Sequence, residues 1–68
     1  MISTAAEAAQ AFREGREDEA RDWCKYGRGR DSASRTAAVA LELYPLVVPE
    51  ATDFDDVYYF LLMMRGDK

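Results

Sequence analysis

The feature that most constrains the fold of this 68-residue sequence is a run of eight apolar or aromatic residues near its end. The run, VYYFLLMM, occupies positions 57–64 and follows a short acidic segment. A surface helix normally has one apolar stripe, whereas this segment is apolar on every side. One side must therefore pack against the rest of the chain, and the other must be covered by a further segment or by another molecule.

The run is compatible with a helix or with a strand. Valine and aromatic residues favour strands, and the period of a short apolar run does not decide between the two. Thr52 or Asp53 can cap a helix here, and the acids that follow suit the positive end of a helix dipole. We therefore expect a helix over 53–65, with a strand as the alternative for 57–64. Five apolar residues would form the face of this helix that packs on the core: Phe54, Val57, Tyr58, Leu61 and Leu62.

Another helix is expected at the start of the chain. Thr4 and Glu7 match a capping box, in which each side chain accepts a hydrogen bond from the backbone amide of the other residue. Apolar residues then recur on one face at helical spacing as far as Tyr26, which predicts a helix over 5–26. Gly15 interrupts this face, so two shorter helices that meet at Gly15 are the alternative.

The middle of the chain predicts one more helix. Segment 25–32 contains two glycines, which end the first helix, and an aspartate or serine that follows them can cap the next one. Pro45 disfavours the helical conformation at the residue before it, so the helix is expected over 33–44. Glu42 is the only charged residue over positions 36–49, and this helix should therefore be the most buried.

These segments predict one compact all-α domain of three helices that spans residues 1–68. A chain of this length buries only about 60% of its unfolded surface, so such domains rely on disulfides, metals or association. Cys24 is the only cysteine and there is no histidine, which argues against an internal disulfide and a zinc site. We therefore expect association, as a homodimer through the C-terminal helix or with an obligate partner.

The composition argues against enzymatic chemistry. Without histidine, acid–base catalysis would fall to carboxylates, which occur here in runs typical of solvated surface. Lys25 could lower the pKa of Cys24, but a single cysteine on a helix is more often structural. We expect no catalytic residue, no cofactor, no metal and no small-molecule substrate. There is no secretory signal and the apolar run is shorter than the ~20 residues of a membrane span, so we expect a cytoplasmic protein without membrane contact.

Four residues on the other side of the C-terminal helix form the candidate partner-binding surface. Aromatic residues are enriched in interface cores and methionine adapts to irregular partners. Leaving such residues exposed would favour aggregation. The alternative is that the first helix folds over this side and completes a monomeric core. The four residues are Tyr59, Phe60, Met63 and Met64.

Two groups of acidic residues indicate what kind of partner this surface could meet. They could occupy the basic groove of a nucleic-acid-handling protein, as small acidic proteins of phages and mobile elements do, or they could simply keep the surface soluble. The first interpretation predicts a small protein that binds a larger protein or complex and inhibits or regulates it. The acidic residues are Glu17, Asp18, Asp53, Asp55 and Asp56.

The rival function is nucleic-acid contact by the basic middle segment. Backbone amides of a glycine-rich loop before a helix can hold a phosphate, and arginines can clamp it. The chain is acidic elsewhere, with a net charge of -4, so these cations could instead pair with its own acids. The cations are Lys25, Arg28, Arg30 and Arg35.

Segments 15–20 (GREDEA) and 40–45 (ALELYP) resemble fragments of the tetratricopeptide repeat. They cover less than a third of the chain and do not share one register. The resemblance implies helical hairpins, since a solenoid would need several stacked units.

Overall fold

The computed structural model describes residues 1–45 and 53–65, except for the side chains of Met64 and Arg65. Its regular structure is helical, which confirms the all-α prediction and the helical interpretation of residues 57–64. No strand occurs in these ranges. Four helices lie within them: α1 (Ala5–Arg13), α2 (Glu17–Tyr26), α3 (Ser32–Leu43) and α4 (Phe54–Arg65).

The prediction of a single helix over 5–26 is wrong, because the chain turns at Gly15. Gly15 has a φ of 87°, a left-handed conformation that glycine adopts without steric penalty. Its amide donates to the carbonyl of Phe12 (N to O, 3.2 Å), and the amide of Arg16 donates to the carbonyl of Ala11 (2.8 Å). This is the Schellman arrangement that ends many helices. The alternative of two shorter helices is therefore correct.

Capping side chains fix the starts of α1 and α3. The Thr4 hydroxyl accepts a hydrogen bond from the Glu7 amide (3.2 Å), as predicted. The Glu7 carboxylate accepts hydrogen bonds from the amide and hydroxyl of Ser3 (2.7 and 3.0 Å). Glu7 therefore binds the Ser3 amide where the capping box predicted the Thr4 amide. The Asp31 carboxylate accepts a hydrogen bond from the Ser34 amide (2.8 Å). That bond holds the pKa of the Asp31 carboxyl below its usual value.

Helix α3 is the centre of the fold, because it packs against α1, α2 and α4, while α1 also packs against α2. The predicted helix over 33–44 is confirmed with each end shifted by one residue. Alanines make up about half of the buried apolar positions, so the helices can approach closely and the core is small. The buried apolar residues are Ala8, Ala9, Ala11, Phe12, Ala20, Cys24, Val39, Ala40, Phe54, Val57 and Leu61.

Helix α4 packs its predicted core face against α3. Phe54, Val57 and Leu61 are buried, and Tyr58 and Leu62 are partly buried against the same core. The rings of Phe54 and Tyr58 stack with centroids 5.3 Å apart. The period of the apolar run therefore predicted this face correctly.

The start of α4 adjoins the end of α2. The Asp53 carboxylate accepts a hydrogen bond from the Asp56 amide (3.0 Å) and caps the helix, while Thr52, the other predicted cap, lies outside the described residues. The ammonium of Lys25, near the end of α2, lies 5.5 Å from the centroid of the Phe54 ring. None of the helices in the described ranges has the length and apolar character needed to cross a membrane.

Candidate protein-interaction surface

The outward side of α4 presents two of the four predicted partner-binding residues to solvent. Tyr59 and Met63 are 66% and 54% exposed, and Phe60 is half-buried beside them. Because Tyr59 and Met63 are four residues apart, they are neighbours on the helix surface. Asp55 precedes Tyr59 by the same spacing and is also exposed. We call Asp55, Tyr59 and Met63 the outer stripe of α4; the side chain of Met64 lies outside the described residues.

The first two helices do not cover the outer stripe. Helix α1 packs mainly against α2 and α3, and α4 packs mainly against α3. Both apolar members of the stripe, Tyr59 and Met63, stay more than half exposed. Within the described ranges, therefore, the alternative in which the first helix completes a core over this side is not what the chain adopts.

Three large apolar residues outside the stripe are exposed in the described part of the chain, and one of them is the terminal Met1. Leu41 on α3 is 54% exposed and Tyr26 at the end of α2 is 73% exposed. Single exposed apolar side chains are common on folded domains, whereas the outer stripe places two on adjacent turns. Leu41 has the same exposed fraction as Met63 and a similar size, so it is a matched control for substitutions in the stripe.

The predicted acidic surface is divided between two helix starts. Asp53, Asp55 and Asp56 lie at the start of α4, and Glu17 and Asp18 lie in the first turn of α2. Negative side chains at these positions stabilise each helix through its dipole. Helix α2 has 10 residues, so its start is roughly 14 Å from its end, where α4 begins. The two groups therefore do not form one cluster, and only the group on α4 adjoins the outer stripe.

Three of the four predicted nucleic-acid contacts are exposed near the end of α2 and in the loop that follows. These residues are Lys25, Arg28 and Arg30. None of them forms an ion pair with a carboxylate in the described part of the chain. Arg35 is placed differently, since it is only 7% exposed.

Arg35 binds the end of α2 from inside the protein. Its Nε lies 3.1 Å from the carbonyl oxygens of both Trp23 and Cys24. Its Nη2 lies 3.0 Å from the carbonyl oxygen of Lys25, and its Nη1 donates to the carbonyl of Arg30. The Trp23 carbonyl also accepts a hydrogen bond from the Gly27 amide (2.8 Å), whereas carbonyls in the last turn of a helix commonly lack intrahelical partners. A positive charge at this end also interacts favourably with the helix dipole.

This placement gives Arg35 a structural role. It holds the loop that carries Arg28 and Arg30, and its own donors are used by backbone carbonyls, so it is not available to a ligand. The sequence contained a signal for this, because Arg35 precedes the buried Val39 by one helical turn and therefore lies on the same face of α3.

Cys24 has the environment of a structural residue. It is buried, and burial is the main cause that raises the pKa of its thiol. A raised pKa keeps the thiol protonated and unreactive near neutral pH. Within the described ranges, no group of three or more histidine, cysteine, aspartate or glutamate residues is placed to hold a metal ion.

Comparison with known proteins adds no relative: the chain matches no protein-family model, no curated protein and no solved structure. The features that indicate a function are therefore those of its own surface. That surface belongs to a small all-α domain with an exposed aromatic and methionine stripe on its last helix.

Proposed function

We propose that this protein is a small, non-enzymatic, cytoplasmic interaction module that binds a larger protein or complex through the outer stripe of α4 and thereby inhibits or regulates it. The observation that carries the proposal is the exposure of Tyr59 and Met63 on adjacent turns of a helix whose opposite face is buried. Burying a large apolar side chain is worth roughly 1.5–3 kcal/mol. A partner that covers both residues gains a corresponding free energy.

The spacing of the stripe suits a partner that encloses a helix. An amphipathic helix commonly binds an apolar groove through anchor residues one turn apart, as Tyr59 and Met63 are. Phe60 is half-buried next to them and extends the apolar contact. Asp55 and Asp56 lie at one end of this surface, where they suit a groove with a basic rim.

A basic rim around a groove is a common feature of proteins that bind nucleic acid. A module that inserts α4 into such a groove would compete with the nucleic acid for it. This is the mode of inhibition that we propose, and it depends on the group of acids that adjoins the outer stripe. Glu17 and Asp18, at the other end of α2, are not needed for it.

A second copy of the chain is another proposed occupant of the same stripe. A stable dimer buries about 800 Å² on each partner, a considerable part of the 4480 Å² of accessible surface of this molecule. Two convex helices in contact would need further surface from α3 to reach this area. A groove that encloses α4 reaches it more easily, so we favour a larger partner.

The test is capture of partners from an extract of the host by the immobilised protein. Tyr59→Asp and Met63→Asp place a charge in the stripe, and Leu41→Asp places one at an equally exposed site outside it. All three sites are more than half exposed, so the variants should fold, which circular dichroism verifies. The proposal requires proteins that the wild type and Leu41→Asp capture and that both stripe variants lose. Capture of the same proteins by all four would contradict it.

Light scattering on the same four proteins tests the dimer. If the wild type and Leu41→Asp are dimers and the two stripe variants are monomers, the second copy occupies the stripe. If all four proteins are monomers, self-association through α4 is excluded and only the larger partner remains.

A further inference from the structure

A groove lies between residues 1–3 and the end of α2, and it has a volume of about 470 Å³. Trp23, Tyr26, Gly27 and Arg28 form its wall on the α2 side. No residue of the outer stripe of α4 contributes to this wall. The groove is therefore a separate feature of the surface, and a ligand bound there need not contact the outer stripe.

Gly27 allows the indole of Trp23 to lie close to the backbone at the groove wall. A Cβ atom at position 27 would come within 2.9 Å of both Cδ1 and Nε1 of the indole, which is closer than such atoms approach in folded proteins. Gly27 is thus required because a side chain would clash with Trp23. Its backbone conformation does not require glycine, since its φ of -66° is one that any residue can adopt. Trp23 remains partly accessible, so one aromatic ring is held in place beside the groove.

Tyr26 supplies a second, more exposed ring, and basic residues precede and follow it in the chain. Tyr26 is 73% exposed, and the Lys25 ammonium lies 5.8 Å from the centroid of its ring. Arg28 lines the groove, and Arg30 is exposed two residues further on. Asp31, the only acid from position 25 to 31, is directed to the α3 cap by its hydrogen bond.

From this juxtaposition we propose that the groove binds single-stranded nucleic acid. A base stacks on the rings of Tyr26 and Trp23, while Arg28 and Lys25 contact the phosphates on either side. Single strands are bound without strong sequence preference by aromatic rings that stack on bases and cations that follow the backbone. The volume is within the range of small-ligand pockets, so the groove accommodates one or two nucleotides of the strand.

The observations favour a single strand over two other ligands, a nucleic-acid duplex and an acidic peptide. In a duplex the bases are already paired and stacked, so the rings of Trp23 and Tyr26 would have nothing to bind. An acidic peptide would satisfy the cations but would offer no planar group to the two rings. The net charge of -4 weakens binding of any polyanion, and the phosphate contacts of Arg28 and Lys25 release counterions, so affinity should fall as salt is added.

The test uses a short oligodeoxythymidylate as the probe. At low salt the fluorescein-labelled strand should show increased anisotropy, and the unlabelled strand should quench the fluorescence of Trp23, the only tryptophan in the chain. Tyr26→Leu should weaken binding by about tenfold, because one stacking partner is lost. Tyr26→Phe keeps the ring and should retain most of the affinity. Arg28→Ala should weaken binding and reduce the slope of log affinity against log salt by about 0.7, the value for one phosphate contact to a single strand.

Leu41→Ala, outside the groove, should bind as the wild type does. The proposal is overturned if the labelled strand shows no anisotropy change at low salt, or if Tyr26→Leu binds as tightly as the wild type. It is also overturned if a duplex of equal length binds as tightly as the single strand. Displacement of the probe by polyglutamate as efficiently as by unlabelled oligonucleotide would identify an acidic peptide as the occupant instead.

Discussion

Replacing Arg35 by methionine should cost this small domain a large part of its stability. Methionine keeps most of the apolar stem but leaves the carbonyls of Trp23, Cys24 and Lys25 without their charged donor. A hydrogen bond to a charged group contributes about 1.5–3 kcal/mol, and desolvation of the buried guanidinium offsets part of the total. We therefore expect a loss of about 2–4 kcal/mol, from a free energy of unfolding of roughly 3–10 kcal/mol for a chain of this length.

Urea unfolding followed by far-ultraviolet circular dichroism measures this loss. For a slope of about 1 kcal/mol per molar urea, typical of small domains, the midpoint should fall by roughly 2–4 M. Arg35→Lys should lie between the wild type and Arg35→Met, because the ammonium keeps the charge but lacks the planar set of donors. Arg30→Met is the matched control, since its side chain is exposed and its loss should cost less than about 0.5 kcal/mol. Equal midpoints for Arg35→Met and Arg30→Met would refute the role assigned to Arg35.

Two further predictions concern the turn between α1 and α2 and the buried thiol. Gly15→Ala should lower the free energy of unfolding by about 1 kcal/mol or more, because φ is 87° there. A continuous helix would instead gain about 1 kcal/mol from the same change, so the sign of the shift in urea midpoint decides between the two folds. Burial raises the pKa of Cys24, so the unfolded chain releases the thiol proton at a lower pH than the folded chain does. Stability should therefore decline as the pH rises above about 8.5, and Cys24→Ala should reduce that decline when urea midpoints are compared across pH. An equal alkaline decline in both proteins would contradict this assignment.

Local signals in the sequence correctly favoured α3, α4 and the core face of α4, although a strand stayed open as the alternative for 57–64. Their caps, Asp31 and Asp53, act on amides three residues away, and the apolar period of 57–64 depends only on its own helix. Such features require no knowledge of the rest of the fold. They also predicted correctly that Tyr59 and Met63 face away from the core.

Local signals in the sequence could not decide whether residues 5–26 form one helix or two helices that meet at Gly15. A glycine inside a helix costs only about 1 kcal/mol, and that cost is small compared with the free energy gained when α1 packs on α2. The choice between one helix and two is thus made by contacts between residues far apart in the chain. The sequence allowed both alternatives, and only the packed structure distinguishes them.

Arg35 and the groove are two further features that the sequence alone did not predict. Arg35 lies on the buried face of α3 by its period, but a buried arginine is tolerated only where acceptors meet it, and these acceptors belong to the end of another helix. The groove combines residues 1–3 with Trp23 and Tyr26, which a sequence pattern does not connect. Tyr26 was expected on the core face of the first helix and is instead mostly exposed.

We propose that the outer stripe of α4 contacts another protein, and photo-crosslinking in the host cell is the most direct test of this contact. A photoreactive phenylalanine analogue is placed at Tyr59 in one protein and at Leu41 in another. We expect a defined crosslinked species from position 59, with a second copy or a larger protein, and none of that species from position 41. No adduct from position 59, or the same adducts from both positions, would contradict it.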